Sequence, residues 1–106
     1  MWYTACLLFK AVHSGEPNSE SLWEETFILI DAETETVART MAEELGRNRE
    51  HGYPTDHGNT VKWQFMRVER VYAIDVGDLQ TGTEVFSRFL RQSEVESLLR
   101  PFEDNE

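Results

Sequence analysis

The sequence predicts a single α+β domain in which a four-stranded, mostly antiparallel sheet carries two helices packed on one face, in the chain order ββαββα. Four short apolar segments are typical of strands, and apolar residues recur with the helical period in two others. The chain has 106 residues, 40% of them hydrophobic, which is enough for one core. We place the domain at residues 1–102 and expect the acidic tail, residues 103–106, to fray.

Two strands are predicted at the start of the chain. Residues 2–12 are apolar on both faces, which indicates a strand in the interior of a sheet. A Ser-, Gly-, Pro- and Asn-rich loop over residues 13–21 leads to a second alternating strand over residues 22–31, and a hairpin is the economical way to join them. Cys6 is the only cysteine, and its place in the first strand predicts a small buried hydrophobic residue.

The main helix is predicted from Thr34 to about Glu50, because its apolar residues form one stripe at helical spacing. Gly46 is a candidate C-cap that would end this helix early. Residues 51–60 have the composition of a loop. Residues 61–76 predict the longest strand, and its apolar residues change parity at Phe65–Met66, which predicts a bulge or a bend.

The last third of the chain predicts a turn, a strand and a short helix. The turn covers residues 77–82 and the fourth strand covers residues 83–91. The segment Ser93-Glu94-Val95-Glu96 fits a capping box with Ser93 as the N-cap, and Pro101 ends the helix. The side chains of this helix that are expected to point inward are Val95, Leu98 and Leu99.

The charge of the chain is acidic and unevenly distributed. The net formal charge is −10, and seven acidic residues lie between Lys10 and Arg39 with no lysine or arginine among them. A field of one sign repels nucleic acid and anionic membranes and attracts basic surfaces. We therefore expect a basic partner protein and neither nucleic acid nor membrane as a partner. The middle third carries most of the arginines, so the molecule is expected to be electrostatically two-sided.

The expected location is the cytoplasm. No apolar run approaches the roughly 20 residues that span a bilayer. The N-terminal apolar stretch has no basic segment before it, so it does not fit a signal peptide. A single cysteine excludes an internal disulfide, which agrees with a reducing compartment.

Five motifs follow one another over residues 2–90. They are Trp2-Tyr3-x-Ala5-x-Leu7-x-Phe9, Trp23-Glu24-Glu25 before Leu29-Ile30-x-Ala32, an Ala- and Glu-rich helix, Val61-x-Trp63-x-Phe65-x-x-Val68, and Gly82-Thr83-Glu84-Val85. In their order and spacing they resemble a bacterial family known as domain of unknown function 4288. The resemblance implies a small bacterial cytoplasmic domain, and it supplies no activity, cofactor or catalytic residue.

Small size and strong acidity favour a protein-binding module over an enzyme. Immunity proteins, which neutralise toxic nucleases, share both properties because they cover a basic cleft, and an adaptor would dock on a basic partner by the same electrostatics. The predicted contact residues are Glu16, Glu20, Glu24 and Glu25. Glu24 and Glu25 cannot act together on one bond, because neighbouring strand residues point to opposite faces. Whichever of them lies among apolar side chains needs a cation; the candidates are Arg67, Arg70 and Lys62.

The alternative function is a small ligand-binding domain or enzyme. Its pocket would lie between the 51–60 loop and the bent strand at residues 63–66. The side chains predicted to line it are Glu25, Tyr53, Asp56, His57 and Trp63. The spacing of His51 and His57 matches no metal motif, and nothing in the sequence predicts a cofactor, a metal or a catalytic residue. The edges of an open sheet also allow a homodimer.

Overall fold

The fold is a four-stranded antiparallel sheet with two helices, seen in a computed structural model that describes residues 1–14, 22–55 and 58–100. The elements are β1 (Trp2–His13), β2 (Trp23–Asp31), α1 (Glu35–Asn48), β3 (His51–Pro54), β4 (Thr60–Ile74) and α2 (Gln92–Leu99). The predicted α+β class and ββαββα order are confirmed. The strands lie side by side in the order β2-β1-β4-β3, so β2 and β3 form the two edges.

β1 is an interior strand because both of its faces are apolar, as predicted. It pairs with β2 on one side and with β4 on the other. Its odd-numbered side chains pack with α1 in the main core, on what we call the helix face. Its even-numbered side chains point to the opposite side, the far face, where Thr4 and Cys6 are 2% and 0% exposed. Both faces of the strand are therefore covered.

Small residues bring α1 close to the sheet. The helix begins after Thr34, whose hydroxyl accepts a hydrogen bond from the Val37 N–H at 3.2 Å. Ala38, Ala42 and Gly46 are the buried residues of α1, and their spacing of four places them on one face. The bulkier apolar residues of the predicted stripe flank this face and remain partly exposed.

Gly46 lies inside α1, so the prediction that it caps the helix is wrong. The helix continues to Asn48, and Gly46 serves instead to let the helix pack closely against the sheet. A Cβ atom at Gly46 would lie 2.4 Å from Cε1 of Phe65, which no real contact allows. The absence of a side chain therefore lets the aromatic ring of β4 lie directly against the helix backbone.

β4 contains two bulges, one of which was predicted. The change of face at Phe65–Met66 is confirmed by a register shift that leaves Met66 without a partner on β1. A second shift, which was not predicted, leaves Glu69 without a partner. Each extra residue reverses the alternation of side chains. The second bulge therefore undoes the first, and Val71 returns to the core on the helix face.

The predicted strand at residues 61–76 is confirmed as β4, whereas the strand predicted at residues 83–91 is wrong and β3 was not predicted. Within the predicted loop, His51–Pro54 forms the short strand β3, which pairs with β4. In the described part of the chain, residues 83–91 pair with no strand. This stretch, which we call the cover segment, lies over the far face. There the Val85 carbonyl accepts a hydrogen bond from the Thr4 hydroxyl, and the ring of Phe86 lies 5.3 Å from that of Phe27.

α2 forms as a helix but does not pack on the sheet. None of its residues is buried: of the predicted inward side chains, Val95 is half-buried, and Leu98 and Leu99 are 55% and 75% exposed. Because the preceding chain runs over the far face, α1 is the one described helix that covers the helix face. The predicted N-cap at Ser93 is also wrong: Arg91 occupies that position, and Glu94 accepts a hydrogen bond from its N–H at 2.9 Å.

The predicted end of α2 at Pro101 and the acidic tail lie outside the described residues. No helix in the described part of the chain is long and apolar enough to cross a membrane.

Candidate functional site

The two edge strands of the sheet differ in how well they are protected from pairing with another chain. β3 is four residues long and contains Gly52 and Pro54, both of which weaken strand pairing. β2 is nine residues long, and within it there is no proline, no lysine and no bulge. Among the described residues its one common form of edge protection is acidic charge, so β2 is less protected than β3 against pairing with a further strand.

Alternate residues of β2 direct their backbone groups away from the sheet. At the two ends of the strand, the Ala11 N–H donates to the Leu22 carbonyl at 2.9 Å and the Ala32 N–H donates to the Met1 carbonyl at 3.0 Å. Even-numbered residues of β2 therefore bond with β1, because bonded pairs alternate in an antiparallel ladder. The odd-numbered residues form what we call the outer edge of β2, which consists of Trp23, Glu25, Phe27, Leu29 and Asp31.

The side chains of the outer edge combine apolar and acidic groups. Trp23, Phe27 and Leu29 lie on the far face and are 48%, 47% and 48% exposed. Residues 23–31 contain three carboxylates and no lysine or arginine. A partner strand at this edge would therefore meet backbone groups that no described strand pairs, a half-exposed apolar row and carboxylates, of which Glu25 and Asp31 each have a cationic neighbour in the chain.

The predicted protein-contact residues lie on different faces of β2. Glu24 points to the helix face and Glu25 to the far face, as strand alternation requires. The Glu25 carboxylate lies 3.7 Å from the Arg88 guanidinium in the cover segment. The cation beside Glu25 is therefore none of the three predicted candidates. Arg88 was not among them because the cover segment, to which it belongs, was expected to be a strand of the sheet. Glu16 and Glu20 lie outside the described residues.

The residues of the alternative pocket are also divided between the two faces. Tyr53 lines a cavity of about 610 Å³ beside β3, and Trp63 lines a neighbouring one on the helix face. Glu25 lies on the far face, so it does not share a pocket with Trp63. Asp56 and His57 lie outside the described residues.

The cavity beside Trp63 crosses all four strands beyond the end of α1, and we call it the aromatic groove. Its volume is about 310 Å³. The side chains that line it are Phe9, Glu24, Thr26, Arg49, His51 and Trp63. Only Trp63 among them belongs to the ligand pocket predicted from the sequence, because the strand order is what brings the ends of β2 and β3 to one cavity. Among the described residues, no group of three His, Cys, Asp or Glu side chains is placed to hold a metal ion.

Two hydrogen bonds orient polar groups in the aromatic groove. The Thr26 hydroxyl donates to Oε1 of Glu24 at 3.1 Å. Nδ1 of His51 lies 3.1 Å from the carbonyl oxygen of Arg49, which is an acceptor, so Nδ1 carries a proton. In the neutral ring Nε2 is then the acceptor. The aromatic groove therefore contains the carboxylate of Glu24, the oriented imidazole of His51 and the guanidinium of Arg49.

Cys6 lies on the far face and is fully buried, as predicted. Burial, with the nearby negative charges of Glu69 and Glu25, raises the pKa of its thiol to about 11. The thiolate is the reactive form of cysteine. We therefore expect iodoacetamide to alkylate Cys6 at pH 8 only in denaturant, as measured by mass spectrometry, and rapid alkylation of the native protein would contradict this.

The raised pKa of Cys6 also predicts a loss of stability in alkali. The unfolded chain releases the thiol proton near pH 9.0, whereas the folded protein holds it to about pH 11. The stabilisation is therefore complete below pH 9.0 and declines as the pH rises to about 11. The free energy of unfolding should fall by at most about 1.4 kcal/mol per pH unit from this group. In urea unfolding, the free energy of unfolding of Cys6→Ala should decline less steeply between pH 9.0 and about 11 than that of the wild type. An identical decline in the two proteins would contradict this prediction.

Comparison with known proteins places the chain in one family. No curated protein and no solved structure matches it. A family model matches residues 2–87, a range that contains the whole sheet and α1 but stops before α2. The motifs quoted from the sequence fall in this range and their resemblance is confirmed. The chain therefore belongs to the family described as domain of unknown function (DUF4288).

Proposed function

We propose that this chain is an acidic protein-binding module that docks on a basic partner protein by adding a strand of the partner to the outer edge of β2. The observation that carries the proposal is a nine-residue edge strand that lacks proline, lysine and bulges. Strand addition is a common mode of recognition, in which backbone hydrogen bonds supply affinity and alternate side chains supply specificity.

Charge favours a basic strand over a second copy of this chain. The net charge is −10, and β2 carries three carboxylates and no lysine or arginine, although Glu25 lies 3.7 Å from Arg88 and Asp31 lies 3.1 Å from the N-terminal ammonium group. Two copies paired through this edge would bring their carboxylates together, and like charges on adjacent strands are destabilising. A strand with lysine or arginine would gain from the same charges, which would also steer its approach.

The apolar side chains of the outer edge support the same kind of complex. Trp23, Phe27 and Leu29 form a row on the far face, and each is about half exposed. A paired strand would bury part of this row against its own alternate side chains. Aromatic residues at the centre of an interface contribute much of its free energy, while charges at the rim chiefly affect the association rate.

The biological role depends on which strand is captured. The module would act as an inhibitor, in the manner of an immunity protein, if the strand borders the catalytic cleft of a basic enzyme. It would act as an adaptor if the strand belongs to a non-catalytic surface. The proposed place of action is the cytoplasm, where the sequence leads us to expect the chain.

A set of synthetic peptides tests the proposal. We expect a nine-residue peptide of alternating valine and lysine to bind in isothermal titration calorimetry. Its affinity should fall about tenfold or more between about 50 mM and about 500 mM NaCl, because salt screens exposed charges. The matched controls are a peptide with glutamate in place of lysine and one with a central proline, and neither should bind.

Two outcomes would contradict the proposal. Equal affinities for the lysine and glutamate peptides would show that charge does not select the partner. Sedimentation equilibrium that finds a dimer of the chain alone, abolished by Leu29→Lys, would assign the outer edge to a second copy instead. The peptides carry no side-chain determinants of a natural partner, so they test the mode of docking and the sign of its charge.

A further inference from the structure

The aromatic groove is lined by side chains of opposite charge that come from the two edges of the sheet. Glu24 comes from β2 at one edge, whereas Arg49 and His51 lie at the opposite edge, where β3 begins. Three strand spacings separate the two edges, or about 14 Å between backbones. The cavity volume of about 310 Å³ is near the lower limit of small-molecule sites.

The floor of the groove is aromatic and firmly held. Phe9 is 2% exposed, and its ring packs against that of Phe65 with centroids 5.7 Å apart. Trp63 is half-buried beside it. Aromatic rings offer apolar contact to the body of a ligand and an attractive face to an ammonium group.

The acidic end of the groove suits a cation. Oε1 of Glu24 already accepts a hydrogen bond from the Thr26 hydroxyl at 3.1 Å. This bond orients the carboxylate, and Oε2 remains as an acceptor for an ammonium group. A charged acceptor forms stronger hydrogen bonds than a neutral one.

The basic end suits a carboxylate. The guanidinium of Arg49 can donate two parallel hydrogen bonds to both oxygens of a carboxylate. His51 lies beside it with its ring oriented by the bond between Nδ1 and the Arg49 carbonyl at 3.1 Å. The described ion pairs do not join Arg49 to Glu24, so the two charges do not cancel each other directly.

From these contacts we infer that the aromatic groove binds a small zwitterion of the amino-acid class, with its ammonium group at Glu24, its carboxylate at Arg49 and its apolar body over Phe9 and Trp63. The site is separate from the outer edge of β2, because its side chains lie on the helix face. It therefore does not rest on the proposed strand docking.

A series of ω-amino acids from glycine to 6-aminohexanoate tests the site, because it varies the distance between the two charges. We expect one member to bind best and to shift the indole N–H signal of Trp63 in an NMR titration. Acetate and butylamine carry only one of the two charges, and each should bind at least about tenfold more weakly.

Matched variants locate the binding. Glu24→Gln and Arg49→Gln should each weaken the best probe about tenfold or more, because each removes one charge-assisted contact. Glu25→Gln, on the far face, and Arg47→Gln, in the adjacent cavity, should leave the affinity within about twofold. Leu29→Pro, which alters the outer edge of β2, should also leave it unchanged, so the failure of either proposal can be recognised separately.

The inference is overturned if no probe shifts the Trp63 signal at millimolar concentration. It is also overturned if the singly charged probes bind as well as the zwitterions, or if Glu24→Gln and Glu25→Gln have the same effect.

Discussion

Replacing Ile28 by proline is expected to lower the free energy of unfolding by about 2–4 kcal/mol, whereas proline at Leu29 is expected to lower it by less than about 1 kcal/mol. Ile28 is an even-numbered residue of β2, and its N–H belongs to the ladder with β1. Proline there removes that bond and leaves a carbonyl of β1 unpaired. The N–H of Leu29 points outward, so its loss costs the isolated protein little.

Urea denaturation of the two proline variants measures this difference. Ile28→Ala and Leu29→Ala serve as controls, because they remove the side chains and keep the N–H groups. The extra cost of proline over alanine should be large at Ile28 and small at Leu29. Equal extra costs at the two positions, or a larger one at Leu29, would show that the outer edge of β2 has been assigned to the wrong residues.

Gly46→Ala is expected to lower the free energy of unfolding by about 1–3 kcal/mol, although alanine favours helices by about 1 kcal/mol. The new Cβ atom would lie 2.4 Å from Cε1 of Phe65. The ring has little room to move, because it also packs against the buried ring of Phe9, with the ring centroids 5.7 Å apart. The helix must then shift away from the sheet, and the core loses contacts along α1.

Thermal unfolding tests the role of Gly46. The double variant Gly46→Ala/Phe65→Leu should be more stable than the sum of its two single changes predicts, because the smaller side chain frees space for the Cβ atom. Gly77→Ala is the matched control: a Cβ atom there meets nothing within 4 Å, so stability should stay within about 0.5 kcal/mol. A Gly46→Ala protein as stable as the wild type would rule out the close packing of helix and sheet.

Much of the fold follows from local patterns. The apolar residues on both faces of β1 predicted an interior strand, and the helical stripe predicted α1. The parity change at Phe65–Met66 predicted the first bulge of β4. These elements are set by which side chains can be buried, and a periodic pattern records that directly.

The cover segment shows where local patterns fail. Its apolar residues predicted a strand, but Phe86 packs across the far face against Phe27. A short apolar segment indicates that some of its side chains are buried, and it does not distinguish a paired strand from a segment laid over a sheet. β3 was missed for the converse reason: Gly52 and Pro54 give it the composition of a loop, yet its backbone pairs with β4.

The candidate sites depend on strand order, which no local pattern fixes. The sequence correctly indicated that Glu24 and Glu25 point to opposite faces, since that needs only a strand. It did not identify β2 as an edge, nor did it place Arg49 opposite Glu24 in one cavity. It also did not find Arg88 beside Glu25, because that contact joins residues far apart in the chain.

Hydrogen exchange of the β2 amides, followed by NMR with and without the valine–lysine peptide, tests most directly whether the outer edge of β2 is a docking surface. In the isolated protein we expect fast exchange at Trp23, Glu25, Phe27 and Leu29 and slow exchange at the even-numbered residues between them. Bound peptide should slow exchange at the odd-numbered residues about tenfold or more, because their N–H groups then bond to the added strand. If the peptide saturates the protein and these four amides still exchange at their original rates, the proposed function is contradicted.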